Sequence, residues 1–357
     1  MRIYTKFFSL IFLKSLLYVI LVMISLGFVI NLLSELDFFK QLEVDIYFPL
    51  FLSFLNSFDL IFEMFPFIFL ITTQLFFIKL FENKEIEIFK YSGLKNTKIL
   101  TILSIISFIT SLLIVTLFYN LSSNLKNIYL ELKSNYTYDG KYLAMVTKNG
   151  LWIKDKVEDK ILLINSQKIE KYYLINNFIT EFDENFNVIR NIQNKKIDIS
   201  KNEWRLFDPK IFEKNVYQNK KEMTLNTNFN FERIQTLYSN LSSLNIFELY
   251  ELRQNYKSLN YSLTEIDLQL LKLISYPVYL VLMTIFSGLI MFNIKNINSS
   301  TFKVSLGLFF SVLIYYFSNF FHVLGSTERI SLIIAIFTPL FLLSIINGLM
   351  LYKVNNK

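Results

Sequence analysis

The residues whose types and spacing best suit chemistry lie at 81–98, a short charged stretch between two long apolar runs. Glu82, Glu85 and Glu87 supply carboxylates, and Lys84, Lys90, Lys95 and Lys98 supply ammonium groups. Ile86, Phe89 and Leu94 give the stretch an apolar side. Carboxylates on a surface segment suit docking, through charge-assisted hydrogen bonds to basic side chains of a soluble partner. A short helix that stops near Gly93 would position them. Lysines concentrated in a short loop between membrane runs mark the cytoplasmic side. The competing reading is a solvated loop that only fixes topology.

Other chemistry is sparse. Asp59 and Glu63 open the second apolar run; they could serve an ion or proton path, or simply reach the interface from the outer turns. Lys14, inside the first run, is placed to snorkel to lipid phosphate. Asn31, at the outer end of that run, would either contact a polar headgroup or solvate the helix end. His322 is the only histidine and there is no cysteine, so disulfides, thiolate chemistry and a multi-histidine metal site within the chain are excluded. Tyr315 and Tyr316 fall mid-run and suit packing, and Trp152 and Trp204 suit the core of a soluble domain. The chain has no G-x-x-x-x-G-K-[ST], H-E-x-x-H or G-x-S-x-G. It therefore carries no phosphate loop of its own, and nothing nominates a nucleophile or base.

The elements that must position these residues follow from composition. The 357 residues are 53% hydrophobic and 17% aromatic, too apolar for an ordinary soluble protein. The net charge of +7 comes from lysines scattered along the chain and flanking apolar runs, which positive-inside topology explains without nucleic acid. The first apolar run, 7–33, is too long for a signal-peptide core and reads as a retained membrane helix.

A membrane span needs about 20 apolar residues. Six segments qualify, near 8–33, 58–80, 100–119, 271–293, 303–323 and 331–352. Pro277 and Pro339 fall inside the fourth and sixth, as kinks that neighbouring helices can satisfy. Arg2, Lys6 and Lys14 lie at the start of the first span, and Glu35, Asp37, Glu43 and Asp45 outnumber Lys40 in the 34–57 loop. With Lys295, Lys303, Lys353 and Lys357 at the later cytoplasmic positions, both termini are expected inside.

Between the third and fourth spans no run is long enough to cross a membrane. Segments 142–146, 151–154, 160–165, 172–181, 187–192 and 197–199 are rich in Ile, Val, Tyr and Phe and are predicted as strands, separated by turns such as Asn149-Gly150 and Asp183-Glu184-Asn185. An external antiparallel domain, sandwich or jelly roll, is expected. From about 231 to 267 the pattern turns helical, with Leu241, Leu244, Phe247, Leu249 and Leu252 ahead of an elbow into the fourth span. The expected organisation is helices 1–3 in 1–120 with a surface helix near 82–93, a β domain with a helical return in 121–268, and helices 4–6 in 269–357.

This layout resembles the LptF/LptG permeases of the lipopolysaccharide-export ABC transporter over nearly the whole chain. Pro66 followed by Glu85-Ile-Glu-Ile-Phe-Lys-Tyr-Ser-Gly93 resembles the family's proline-containing helix and coupling helix. Gly150-Leu-Trp-Ile-Lys-Asp155 resembles a stretch of the periplasmic domain and favours the LptG side, and Asn202-Glu-Trp-Arg-Leu206 resembles a later strand. Tyr276-Pro277, Gly307 and Tyr315 match positions of the fourth and fifth spans. The sequence departs from the family in having Asn120-Leu-Ser122 where proline usually follows the third span, Asn31 where LptG proteins commonly carry a basic residue, and Ser311 for a second glycine.

The resemblance implies half of a heterodimeric channel in a bacterial inner membrane, built from six helices (3 + 3) and an inserted periplasmic jelly-roll-like β domain. Such a protein extracts lipopolysaccharide and passes it to a periplasmic bridge. The implied partners are an LptF-like permease, an LptB-like ATPase dimer that binds ATP and Mg, and an LptC-like single-span protein; this chain would bind no cofactor. Glu85, Glu87, Phe89, Ser92 and Gly93 would couple to the ATPase. The first and fifth spans would form lateral gates, with Phe28, Ile30, Asn31, Phe309, Leu313 and Tyr315 as candidates for the cavity wall. Two other classes compete: a secondary carrier, which would need a polar site at mid-membrane, and a membrane-anchored adaptor, which would need no docking helix. A membrane enzyme would need paired carboxylates in the folded structure.

Overall fold

A computed structural model describes residues 3–40, 42, 44–134, 136, 151–157, 160–170, 172–213, 216–231, 233–234, 240–258, 261–293 and 300–355. The chain divides into two compact units, one of Met1–Lys126 with Thr264–Lys357 and one of Asn127–Leu263.

The first unit is helical. Its elements are α1 (Ile3–Phe39), α2 (Tyr47–Glu82), α3 (Glu85–Tyr91), α4 (Asn96–Leu113), α7 (Thr264–Asn293), α8 (Ser300–Ser326) and α9 (Leu332–Asn355). A five-residue π-helical turn, Ile114–Phe118, joins α4 to α5 (Tyr119–Ser134). Six of these helices are long and apolar enough to cross a membrane.

Two helices extend well beyond the predicted spans. The 34–57 segment, expected as a loop, is mostly helix, since α1 runs to Phe39 and α2 starts at Tyr47. Of the acidic residues that suggested a loop, Glu35 and Asp37 sit on the extension of α1 and Asp45 lies in the turn before α2, while Glu43 lies outside the described residues. Likewise the third span does not stop at residue 119: with asparagine rather than proline at position 120, every backbone N–H can be donated and the helix runs on to Ser134.

Packing follows four-residue spacing. Phe8, Phe12, Ser15, Val19, Gly27, Asn31, Glu35 and Phe39 form the buried stripe of α1. Hydrophobicity does not distinguish a neighbouring helix from lipid, so membrane helices associate through close packing and hydrogen bonds. Both occur here. Ser287 Oγ donates to the Leu70 carbonyl at 2.7 Å, the Ser107 and Thr284 hydroxyls meet at 3.0 Å, and Asn347 Nδ2 donates to the Leu282 carbonyl at 3.0 Å. Among the described residues of α8, those that are fully buried are Gly307, Ser311 and Gly325, all small. Its exposed residues include the bulky Phe309, Leu313 and Tyr316.

The second unit holds one antiparallel sheet, an inserted half-barrel. Its strands are β1 (Leu151–Val157), β2 (Lys160–Glu170), β3 (Tyr173–Phe182), β4 (Val188–Asp198), β5 (Glu203–Phe207), β6 (Lys210–Glu213), β7 (Val216–Asn219) and β8 (Glu222–Asn226). The order is β1-β2-β3-β4-β5-β8, with β6 pairing β4 and β7. The segments 187–192 and 197–199, predicted separately, are one continuous strand, because Gln193–Lys196 keep pairing with β3. The 142–146 strand lies outside the described residues. A 3₁₀ turn (Leu241–Ser243) and α6 (Ile246–Ser258) form the helical return. Leu249 and Leu252 are buried there, whereas Phe247 is exposed.

The two tryptophans divide. Trp204 is fully buried and its indole N–H donates to the Phe229 carbonyl at 2.7 Å. Trp152, expected in the core, is 55% exposed. Its neighbours Leu151 and Ile153 point inward, and the two-residue period of a strand sends Trp152 to the other face. Asp155, inward on the same strand, accepts from the Asn228 backbone N–H and side-chain amide, both at 2.8 Å.

Candidate functional site

The charged stretch between α2 and α4 folds as a short helix closed at both ends. Lys84 sits at φ 58°, which turns the chain after α2, and its carbonyl accepts from Glu87 N–H at 3.2 Å. The helix α3 then runs for seven residues. Its end is a Schellman closure: the Leu94 N–H reaches back to the Phe89 carbonyl at 2.9 Å, with Gly93 at φ 83°. Nothing lies within 4 Å of where a Cβ would stand on Gly93. The left-handed backbone, not lack of space, calls for glycine there. Ser92 Oγ donates to the Phe89 carbonyl at 2.8 Å, adding a second closure.

The inner face of α3 docks onto α1. Ile86 is buried, and the Phe89 ring lies 4.9 Å from that of Phe8 and 5.8 Å from that of Phe7. Phe89, expected among the coupling residues, therefore fixes the helix rather than presenting to solvent. Glu87 is exposed. Glu85 is half-buried: Oε1 accepts from Asn83 Nδ2 at 3.4 Å, and Oε2 has no hydrogen-bond partner among the described residues. Two residues that sequence reasoning passed over complete the outer face, Ile88 at 63% and Tyr91 at 89% exposure. Their i, i+3 spacing, out of phase with Ile86 and Phe89, is the signal that marks them.

The candidate wall residues fall into two groups. Phe309, Leu313 and Ile30 are exposed, Phe28 is half-buried, and Tyr315 packs its ring 5.8 Å from that of Phe67. Asn31 behaves differently. Because α1 continues for two further turns, Asn31 is not at a helix end; it is buried. Its Oδ1 accepts from Asn56 Nδ2 at 2.9 Å and its Nδ2 donates to Ser57 Oγ at 3.4 Å. Asn56 Oδ1 in turn accepts from Lys126 Nζ at 2.6 Å, and Lys126 pairs with Asp59 at 3.1 Å. Asn31 thus joins α1 to α2 and, through Asn56, to α5. Asp59, expected in an opening turn, lies more than three turns into α2 and is already paired.

At its other end α8 is pinned to α2. Gln74 Nε2 donates to the Lys303 carbonyl at 2.9 Å, and a Cβ on Gly307 would collide with the Gln74 amide. The glycine is what lets a buried amide lie flat against α8.

Six helices long and apolar enough to cross a membrane, with a short closed helix between the second and third, define a multi-pass membrane protein. The model of one family, lipopolysaccharide export system permease LptF/LptG, matches residues 10–353. The chain belongs to that family, the transmembrane part of the lipopolysaccharide ABC transporter, whose ATPase is separate. No curated protein matched the chain.

Proposed function

We propose that this chain is the LptG-like member of a permease pair and that α3 is the element that receives the stroke of the ATPase. Its termini lie in the cytoplasm and its β domain in the periplasm. An LptF-like permease covers the open faces of α1 and α8, an LptB-like ATPase dimer with its ATP and Mg docks below, and an LptC-like single-span protein continues the β bridge. Lipopolysaccharide leaves the outer leaflet of the inner membrane through gates formed by the first and fifth spans.

The observation that carries this reading is the construction of α3. A helix closed at both ends, seated on α1 through Phe89 and presenting Glu87, Ile88 and Tyr91 outward, transmits a push instead of absorbing it. The apolar faces left open on α1 and α8, from Leu10 to Leu33 and from Phe309 to Phe320, support a second membrane subunit against them. The LptG side rests on Leu151-Trp-Ile-Lys-Asp155, whose outward Trp152 and buried Asp155 shape one edge of the sheet.

The test is co-purification with the ATPase. Glu85→Ala should leave membrane insertion intact and weaken ATPase recovery, and Ile88→Ser with Tyr91→Ser should do so more strongly. Undiminished ATPase recovery and transport in both variants would remove α3 as the contact.

A further inference from the structure

A cavity of about 260 Å³ opens among α2, α7, α8 and α9, inside the helical unit. Its lining is polar beyond what packing requires, with Glu63 from α2, Lys272 from α7 and His322 from α8. Within it, Glu63 lies in electrostatic reach of Tyr276 and Tyr315, and Lys272 in reach of His322. Tyr315 and His322 are seven residues apart on α8, two helical turns or ~10 Å. Glu63 and Lys272 form no ion pair or side-chain hydrogen bond with any described residue, in contrast to Asp59 and Lys126 one turn away, which pair at 3.1 Å.

A carboxylate and a cation that share a cavity in a membrane unit without meeting each other are costly if nothing binds them. A purely anionic ligand would leave Glu63 opposed, and a purely cationic one would leave Lys272 and His322 opposed. A ligand carrying both charges a short distance apart satisfies all three. The surroundings suit that division. Aromatic faces beside a carboxylate form an ammonium cage, and Ser318 and Asn319 add hydrogen-bond donors to the cavity. Glu63, Tyr315 and Asn319 are exposed at its mouth, and Tyr276 is buried at its back, so a headgroup can enter from the side.

We propose that this cavity binds a phosphoethanolamine group, with its phosphate between Lys272 and His322 and its ammonium against Glu63 and the tyrosine rings. The group can come from a phospholipid or from a glycolipid that carries it. The site is separate from α3 and stands whether or not the coupling reading does.

The test is native mass spectrometry of the delipidated full chain. In one arm it is offered equal amounts of phosphatidylethanolamine and phosphatidylglycerol with the same acyl chains. In the other it is offered lipopolysaccharide with and without phosphoethanolamine. Preference in the first arm assigns the group to the phospholipid and preference in the second to the glycolipid, in either case by roughly tenfold. Glu63→Gln and Lys272→Gln should each abolish the preference. Lys272→Arg, which keeps the charge, should retain it and so separates loss of the site from loss of the fold. Equal retention with and without the phosphoethanolamine group in both arms, or an unchanged preference in Glu63→Gln, would overturn the proposal. ATPase recovery, measured on the same preparations, reports separately on α3.

Discussion

The Tyr276 hydroxyl donates to the Phe62 carbonyl at 2.5 Å, across the interface between α7 and α2. Phe62 lies four residues before Pro66, so the proline removes the N–H that this carbonyl would otherwise accept. In a membrane no water fills such a gap. A hydroxyl from the neighbouring helix fills it, and the Tyr276 ring stacks on Phe62 with centroids 4.9 Å apart. Proline in the second span and tyrosine in the fourth are thus two halves of one contact.

Tyr276→Phe keeps the ring and removes the donor. It should destabilise the helical unit by about 1–2 kcal/mol, read as a lower unfolding midpoint in detergent. Replacing Pro66 by alanine in the same background should restore most of the loss, since the backbone then satisfies itself. Equal loss in both backgrounds would separate the two residues.

Gly307→Ala places a methyl where the Gln74 amide lies. Overpacking of this kind costs about 1–3 kcal/mol and should loosen α8 at its Lys303 end. The cost should fall when Gln74 is also replaced by alanine, a coupling that a double-mutant cycle measures.

At Gly93 the backbone, not the space, is restrictive. Gly93→Ala should cost about 1 kcal/mol in the left-handed conformation, and Gly93→Asn less. Proteolysis of the 81–98 stretch should rise in the alanine variant while the spans stay protected.

In the turn between β3 and β4, the Asn187 side-chain amide and backbone N–H, with the Asn185 N–H, hold the Asp183 carboxyl below its ordinary value of 3.8. A folded value below the unfolded one contributes stability that is present above the unfolded value and lost as pH falls through the folded one. The turn should therefore stay closed at pH 3.8 and open only in stronger acid. Hydrogen exchange of residues 183–187, corrected for intrinsic rate, should show this, and Asp183→Ala should expose the turn at every pH.

The six helices were legible because about 20 apolar residues in a row have few other uses. Their ends were less so: Glu35 and Asp37 on the extension of α1 read like a loop, yet a helix with exposed turns carries them equally well. The strand positions up to Asp198 followed from Ile, Val, Tyr and Phe. The short strands β6 to β8 did not, since their residues are largely polar and only pairing identifies them. For α3, the glycine stop announced a short helix, but which face is outward depended on where α1 lies, so Phe89 was grouped with the coupling residues and Tyr91 was passed over. Asn31 and Lys272 were the least legible. A single polar residue in an apolar run reads the same whether it is bonded, as Asn31 is to Asn56, or lines a cavity, as Lys272 does.

The most direct test of the central claim is gentle purification of this chain with its co-expressed neighbours, followed by mass spectrometry of the proteins and lipid recovered. The account predicts a second six-span permease, a soluble ATPase in two copies and bound lipopolysaccharide, with the ATPase lost in Ile88→Ser/Tyr91→Ser. Recovery of this chain alone, under conditions that hold other membrane complexes together, would contradict it.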